Sequence, residues 1–403
     1  MPPTTPAKTF AHIDCDCFFV SAELIDKPHL KGKPVCVAGP TGNKGVVTSA
    51  SYEARKFNIK AGTPVFKARQ LCPQAIFIPG DFQKYGPLSF KLFAYLQKLS
   101  PKIEHMSIDE GYADLSNLDK VYNLDFLTLG QKFQTFIDQK LKIPISIGIA
   151  PSKTLAKIGS KLAKPHGVII INDQNRIELI NGLKTSMVCG FGRRICAKLL
   201  ANFGIETIEQ FIKLDPITIK KHFGSPVLII WHELQGQSLL PIKQTQEPAK
   251  SIMRSSMFPT KTNNYEFIKN WLTMRLIEAT KKLQTQNLNC QKLGIFLRQE
   301  HPHTVSIDQE LKTPSHNYQE LKDLSHNLLQ KLYQPNRQYR AAGIYLANLK
   351  PQNSNQPSLF AATEINKKDP IEILNFCDQQ LGKNQVSILS HKLKPEFGLS
   401  FMG

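Results

Sequence analysis

The sequence predicts an α+β fold made of two α+β units with a helical stretch between them. Three observations predict it. In residues 8–171, strand-like apolar runs interleave with helix-period segments, and one strand pair is joined by so short a turn that it has to be antiparallel. Residues 172–240 carry short helical patterns and no convincing strand. From 250 to 350 the order strand, helix, strand, strand, helix, strand returns. An antiparallel hairpin within such an alternation argues for a ferredoxin-like sheet, not a doubly wound parallel one.

Residues 10–13 alternate as a short strand and run into Asp14-Cys15-Asp16-Cys17-Phe18-Phe19, with a helix expected from Val20. A carboxylate between a strand end and a helix N-terminus can hold a metal beside a phosphate. Asp16 is expected to N-cap that helix while Asp14 faces the site. Residues 33–39 and 45–50 read as strands around a turn at Pro40-Thr41-Gly42-Asn43, and 51–57 as a helical turn. Tyr52 and Arg55, three apart on that turn, make a reasonable phosphate clamp; taken alone they equally describe a surface helix with one packed aromatic.

Helices over 87–99 and 126–141 pack their apolar stripes behind the sheet. Between them, 103–115 reads as strand, tight turn, strand, with Ser107-Ile108-Asp109-Glu110 in the turn. Adjacent carboxylates there suit a divalent cation with oxygen ligands. Composition alone yields about one Asp-Glu pair in a chain of this size, so the pair needs another carboxylate, and Asp14 is the candidate. Residues 145–150 form a buried strand and 152–163 a helix, on which Lys153, Lys157 and Lys161 read as a solvated face. Lys164-Pro165-His166-Gly167 ends that helix and leaves a lysine at its end.

Val188-Cys189-Gly190-Phe191-Gly192-Arg193-Arg194 before a helix over 195–203 has the pattern of a helix-hairpin-helix. Its glycines would let backbone N–H groups approach a DNA phosphate without base readout; an ordinary glycine-rich connection is the alternative. Residues 239–250 read as a linker. The second α+β unit follows with strands over 251–258, 292–298, 304–311 and 338–349 and helices over 264–284 and 318–332. In 351–361, polar and rich in Pro and Asn, Leu359-Phe360 is an apolar pair suited to another protein's groove. A short helix over 371–381 and a strand over 386–389 are expected beyond it.

Composition excludes several classes. The 403 residues are 41% hydrophobic, and no apolar run approaches the length that spans a bilayer, so no membrane role is expected. The start lacks the charged and apolar regions of a signal peptide, which predicts a cytoplasmic protein. Eight cysteines without CxxC pairs or zinc spacing predict reduced thiols. The formal charge of +19 points to an anionic partner. Its largest share lies in 241–350, where 16 basic side chains face 8 acidic ones, and 351–403 is neutral at 5 against 5.

Taken in order, these pieces resemble a Y-family (translesion) DNA polymerase of the bacterial polymerase IV group, over residues 8 to about 350. The resemblance rests on His12-Ile13-Asp14-Cys15-Asp16-Cys17-Phe18-Phe19, Ser51-Tyr52-Glu53-Ala54-Arg55-Lys56, Ser107-Ile108-Asp109-Glu110, Ala163-Lys164-Pro165-His166-Gly167 and the helix-hairpin-helix. It implies a right-hand polymerase: a ferredoxin-like palm in 1–17 and 82–171, small fingers in 18–81, and a helix-hairpin-helix thumb in 172–240. A linker would span 241–249, a βαββαβ little finger 250–350, and a clamp-binding motif with a tail 351–403.

By the same resemblance, Asp14, Asp109 and Glu110 are the catalytic metal carboxylates, and the Cys15 carbonyl completes one shell. The cofactor would be two Mg²⁺ ions, with Mn²⁺ able to substitute. Tyr52, Arg55, Lys164, Ser49 and the backbone at Phe18 and Phe19 would contact the dNTP, and Phe19 would be the steric gate against a ribose 2′-OH. Gly190, Gly192 and Arg193 would touch primer–template DNA. Gln356, Leu359 and Phe360 would dock on a sliding clamp, and the protein would act as a monomer. Three departures stand out: about forty residues follow the clamp motif, Met253 follows Lys250-Ser251-Ile252, and Gly111 replaces the commoner Ala, which could loosen the turn but is expected to leave the ligands in place. The competing classes are a non-catalytic DNA- and clamp-binding accessory protein, which has no need of the three carboxylates, and a nucleotidyl cyclase, which has no need of the hairpin thumb or the basic 241–350 region.

Overall fold

The computed structural model describes residues 8–39, 45–244, 248–299 and 303–352, so the expected turn at 40–43 and every expectation beyond Gln352, Gln356, Leu359 and Phe360 included, lie outside the described residues. The chain divides into two units, Met1–Gln246 and Glu247–Gly403.

In the first unit the strands are β1 (Phe10–Cys15), β2 (Val35–Ala38), β3 (Val47–Ala50), β4 (Ile76–Pro79), β5 (Ile103–His105), β6 (Glu110–Asp114), β7 (Ile145–Ala150) and β8 (Val168–Ile170). Five form one sheet in the order β5-β6-β1-β7-β8, antiparallel except for the β7–β8 pair. Leaving out β8, this is the ferredoxin-like arrangement, with β1 central between β6 and β7. The β1 side chains alternate, as a two-sided strand requires. Ala11, Ile13 and Cys15 enter a core with the helices Phe82–Leu99 and Phe126–Leu141, while Phe10 packs in a second core with the helix Lys153–Leu162. His12 and Asp14 share the Phe10 face.

The Lys153–Leu162 helix lies tightly on β7 because Gly148 has no side chain. A Cβ there would stand 2.1 Å from the Ala156 carbonyl oxygen. A smaller sheet, β3-β2-β4, follows the helix Phe18–Leu24. Residues 172–240 are helical as expected, and helix Arg193–Phe203 opens on Gly192.

Several local expectations are corrected. The helix expected from Pro87 starts at Phe82, because Asp81 accepts from the Gln83 and Lys84 N–H groups and the proline is carried inside the helix. The helix Val65–Leu71 and strands β4 and β8 were not anticipated; β4 and β8 are only four and three residues long. Gly111 lies in β6, paired with Ile13 and His105, not in the turn itself. A Cβ at this position would lie 2.6 Å from Phe93 Cε1 and 2.7 Å from the Glu104 carbonyl oxygen, so the missing methyl is what admits the Phe93 ring.

The second unit holds β9 (Ser251–Thr262), β10 (Leu288–Arg298), β11 (Thr304–Ser315) and β12 (Tyr339–Pro351) in an antiparallel sheet ordered β11-β10-β12-β9. The helices Tyr265–Thr285 and Tyr318–Leu332 share its core, where Leu276, Leu283, Leu293 and Ile344 are fully buried. The βαββαβ order is the expected one. Among the described residues no helix is long and apolar enough to cross a membrane.

Candidate active site

Strand register brings the acidic residues together. Asp14 on β1 stands directly opposite Glu110 on β6. The Cys15 N–H donates to the Asp109 carbonyl at 2.9 Å, which ties the hairpin turn to the end of β1. Residues 96 and 94 positions apart in the chain thus become neighbours. Among the described residues, His12, Asp14 and Glu110 offer ligand atoms within 4.8 Å of one another, and His12 is not singled out from the sequence. Asp109 turns its carboxylate to the Ser107 hydroxyl, which donates at 2.5 Å. The available signal for His12 was its spacing of two from Asp14 on a strand, which puts both on one face.

A cavity of about 530 Å³ opens beside these groups. Of the residues singled out from the sequence, Asp14, Cys15, Phe18, Phe19, Ser49, Arg55, Asp109 and Lys164 line it; Cys17, Thr48, Ala50, Lys60 and Ala61 join them unanticipated. Arg55, Lys60 and Lys164 give part of the wall a positive charge. Phe19 is locked by stacking on Tyr85 at 4.6 Å between ring centroids and by an edge contact to Phe82 at 5.5 Å.

Glu110 and Tyr52 do not line the cavity. The Tyr52 hydroxyl donates to Asp16 Oδ1 at 2.9 Å, and its ring lies under the Arg55 guanidinium, 4.9 Å from the centroid. Asp16 does not cap the Phe18–Leu24 helix. Cys17 occupies the cap position in a left-handed conformation, with no side-chain cap. Asp16 is instead a buried acceptor, taking bonds from Tyr52, from the Ser146 hydroxyl at 3.0 Å and from the His166 N–H at 2.7 Å. It ties Tyr52, β7 and the His166 backbone into one network.

The lysine row is also corrected. Lys153 and Lys157 are buried at 7% and 9% exposure. Lys153 pairs with Glu104 at 2.5 Å, Lys157 takes both Glu110 oxygens at 2.7 and 2.8 Å, and Lys161 donates to the Met187 carbonyl at 2.8 Å. A four-residue spacing is the same whether a helix face meets water or buried acids. His12 and the Lys157 ammonium together hold the Glu110 carboxyl down to about 2 against the opposing pull of burial. Burial raises Asp14, and the Lys164 ammonium counters that rise.

The depressed Glu110 value stabilises the fold fully above its unfolded value near 4.5, and that contribution is lost as pH falls toward 2. Lys157→Met is therefore expected to cost about 2 kcal/mol at pH 7, with the gap from wild type narrowing below pH ~4.5. Urea unfolding at a series of pH values checks this. A gap that stays constant with pH would mean that Lys157 acts by packing alone.

At the helix-hairpin-helix, Gly190 has φ +92 and Gly192 caps the Arg193–Phe203 helix, with Gly192 and Arg193 both exposed. All three residues singled out there are surface-accessible.

Comparison with known proteins agrees with this architecture. The impB/mucB/samB family matches residues 13–161, and its C-terminal domain matches 249–359. The DNA polymerase IV of Dehalococcoides mccartyi strain CBDB1 is 32% identical over 84% of this chain and 86% of its own length. DNA polymerase IV 1 of Bacillus subtilis strain 168 is 30% identical over 90% and 87%. Among solved structures, a chimera of the Y-family DNA polymerases Dbh and Dpo4 aligns with a TM-score of 0.72 at 27% identity, covering 85% of this chain and 99% of the chimera. An insertion ternary complex of Dbh DNA polymerase aligns at 0.56 and 28%, with the same coverage. The mixed α+β architecture fits the palm, fingers, thumb and little finger of these enzymes. With a face-to-face carboxylate pair, an adjoining cationic cavity and relatives matched along most of its length, the chain belongs to the impB/mucB/samB family and is a DNA-directed DNA polymerase of the Y-family.

Proposed function

We propose that the enzyme adds dNTPs to a primer 3′-OH by two-metal nucleotidyl transfer, in low-processivity synthesis across damaged template. The observation that carries this is the pairing of Asp14 with Glu110 across neighbouring strands, with Asp109 bonded to the end of β1 beside a cavity lined by three cationic side chains. Asp14, Asp109, Glu110 and the Cys15 carbonyl offer oxygen donors, which fit Mg²⁺, with Mn²⁺ as a substitute; His12, the nitrogen beside them, lies 3.4 Å from Glu110 Oε2 and supports that carboxylate. Two such ions, when bound, would activate the primer hydroxyl and neutralise the triphosphate and the leaving pyrophosphate.

The chain's own residues supply the rest. Arg55, Lys164 and Ser49 meet the triphosphate together with the N–H groups at Phe18 and Phe19, and Lys60 joins them. Tyr52 contributes through its ring, which supports the Arg55 guanidinium, since its hydroxyl is engaged by Asp16. Phe19 excludes a ribose 2′-OH. The palm comprises 1–17 and 82–171, the fingers 18–81, the thumb 172–240 and the little finger 250–350. Gly190, Gly192 and Arg193 in the thumb touch the primer–template backbone, as does the basic second unit. Primer extension with Mg²⁺ tests the carboxylate assignment: wild type is expected to extend and Asp109→Ala is not. Equal extension by the two would remove Asp109 from the metal site.

Gln356, Leu359 and Phe360 recruit a sliding clamp in this proposal. A chain ending at Gln352, just past β12, is expected to keep distributive synthesis and lose stimulation by the clamp. Stimulation that survives the truncation would make 353–360 a plain connector.

A further inference from the structure

Lys164 stands between two ligands. Its Nζ lies 2.5 Å from Asp14 Oδ1, and the same side chain lines the cavity with Arg55 and Lys60. The pair is partly shielded, at 22% side-chain exposure for Lys164 and 14% for Asp14. The backbone on either side is held: Ala163 donates to the Gly159 carbonyl at 2.8 Å, and the His166 N–H donates to Asp16 at 2.7 Å. Only the side chain is left to move. An ammonium this close to a carboxylate oxygen takes the place of a divalent cation on that oxygen, and like charges at such range repel strongly. Lysine is a point charge on a flexible stem, so it changes acceptor without a preset geometry to break.

We propose that Lys164 is an exchangeable counter-cation of Asp14, drawn off the carboxylate by a triphosphate in the cavity, and that this exchange makes nucleotide and divalent-cation binding cooperative. The proposal rests on Asp14 being a metal ligand. Lys157 is the contrasting case: it donates to both Glu110 oxygens from a buried helix face and does not line the cavity, so a triphosphate there does not draw it off, and each Glu110 oxygen keeps a lone pair for a cation. Because binding free energies are linked, whatever factor the nucleotide adds to cation affinity through Lys164, the cation returns to nucleotide affinity.

The test is Mn²⁺ titration of the full chain followed by electron paramagnetic resonance. It is run first on protein alone, then with a dideoxy-terminated primer–template and the matching dNTP. Without nucleotide, Lys164→Met is expected to bind Mn²⁺ about tenfold more tightly than wild type and to gain less when the dNTP is added. Lys164→Gln, run beside it, is expected to behave alike, which separates charge removal from a folding defect in one variant. Unchanged or weaker Mn²⁺ binding in both variants overturns the exchange. Asp14→Asn distinguishes the two levels. If it weakens Mn²⁺ binding while the Lys164 variants do not tighten it, the exchange alone falls. If it leaves Mn²⁺ binding untouched, Asp14 is not a ligand and the exchange falls with it.

Discussion

Asp14→Asn is expected to lower the rate of primer extension by about 10³ or more, the equivalent of roughly 4 kcal/mol of lost transition-state stabilisation. The substitution keeps the shape of the side chain and removes its charge. Asp14 comes from β1, whereas Asp109 and Glu110 come from one hairpin, and cation ligands from a single turn cannot bracket two ions. Glu110 shares its charge with Lys157 and Asp109 sits in the turn between β5 and β6, so neither replaces a charge lost from β1. Single-turnover incorporation with saturating Mg²⁺ is the measurement. A rate within tenfold of wild type would take Asp14 out of the centre.

Phe19→Ala is expected to raise ribonucleotide incorporation by about 10², with smaller change in the rate for the matching dNTP. The ring lines the cavity and packs on Tyr85 and Phe82, which hold it in place there. A rigid wall discriminates by shape, and Ala removes the wall while leaving the carboxylates in place. The ratio of kcat/KM values for dNTP and rNTP on an undamaged template checks this. An unchanged ratio would leave Phe19 as a packing residue of the Tyr85 cluster.

Much of this was legible from local pattern. The strand at 145–150, the one read over 10–13 that runs on to Cys15, the helix over 126–141 and the βαββαβ order of the second unit follow from periodicity, because each element buries one face whatever its neighbours are. The Asp14 and Asp109-Glu110 motifs also stood out, because chain order preserves their spacing. What periodicity could not supply was partnership across the chain. Lys157 on its helix looked like a surface lysine until β6 brought Glu110 to it, and Asp16 looked like a helix cap until Tyr52, Ser146 and His166 converged on it.

The sequence by itself determined the kinds of element, their order and the residue types able to bind a cation and a triphosphate. Only the tertiary structure decided which charges face each other. Register across β1 and β6 sets Asp14 opposite Glu110, the missing side chain of Gly148 presses the Lys153–Leu162 helix onto the sheet, and Lys164 is delivered to Asp14 across 150 positions. The physical reason is that burial and ion pairing depend on distance in space, and a spacing along one element carries no information about the element that packs on it.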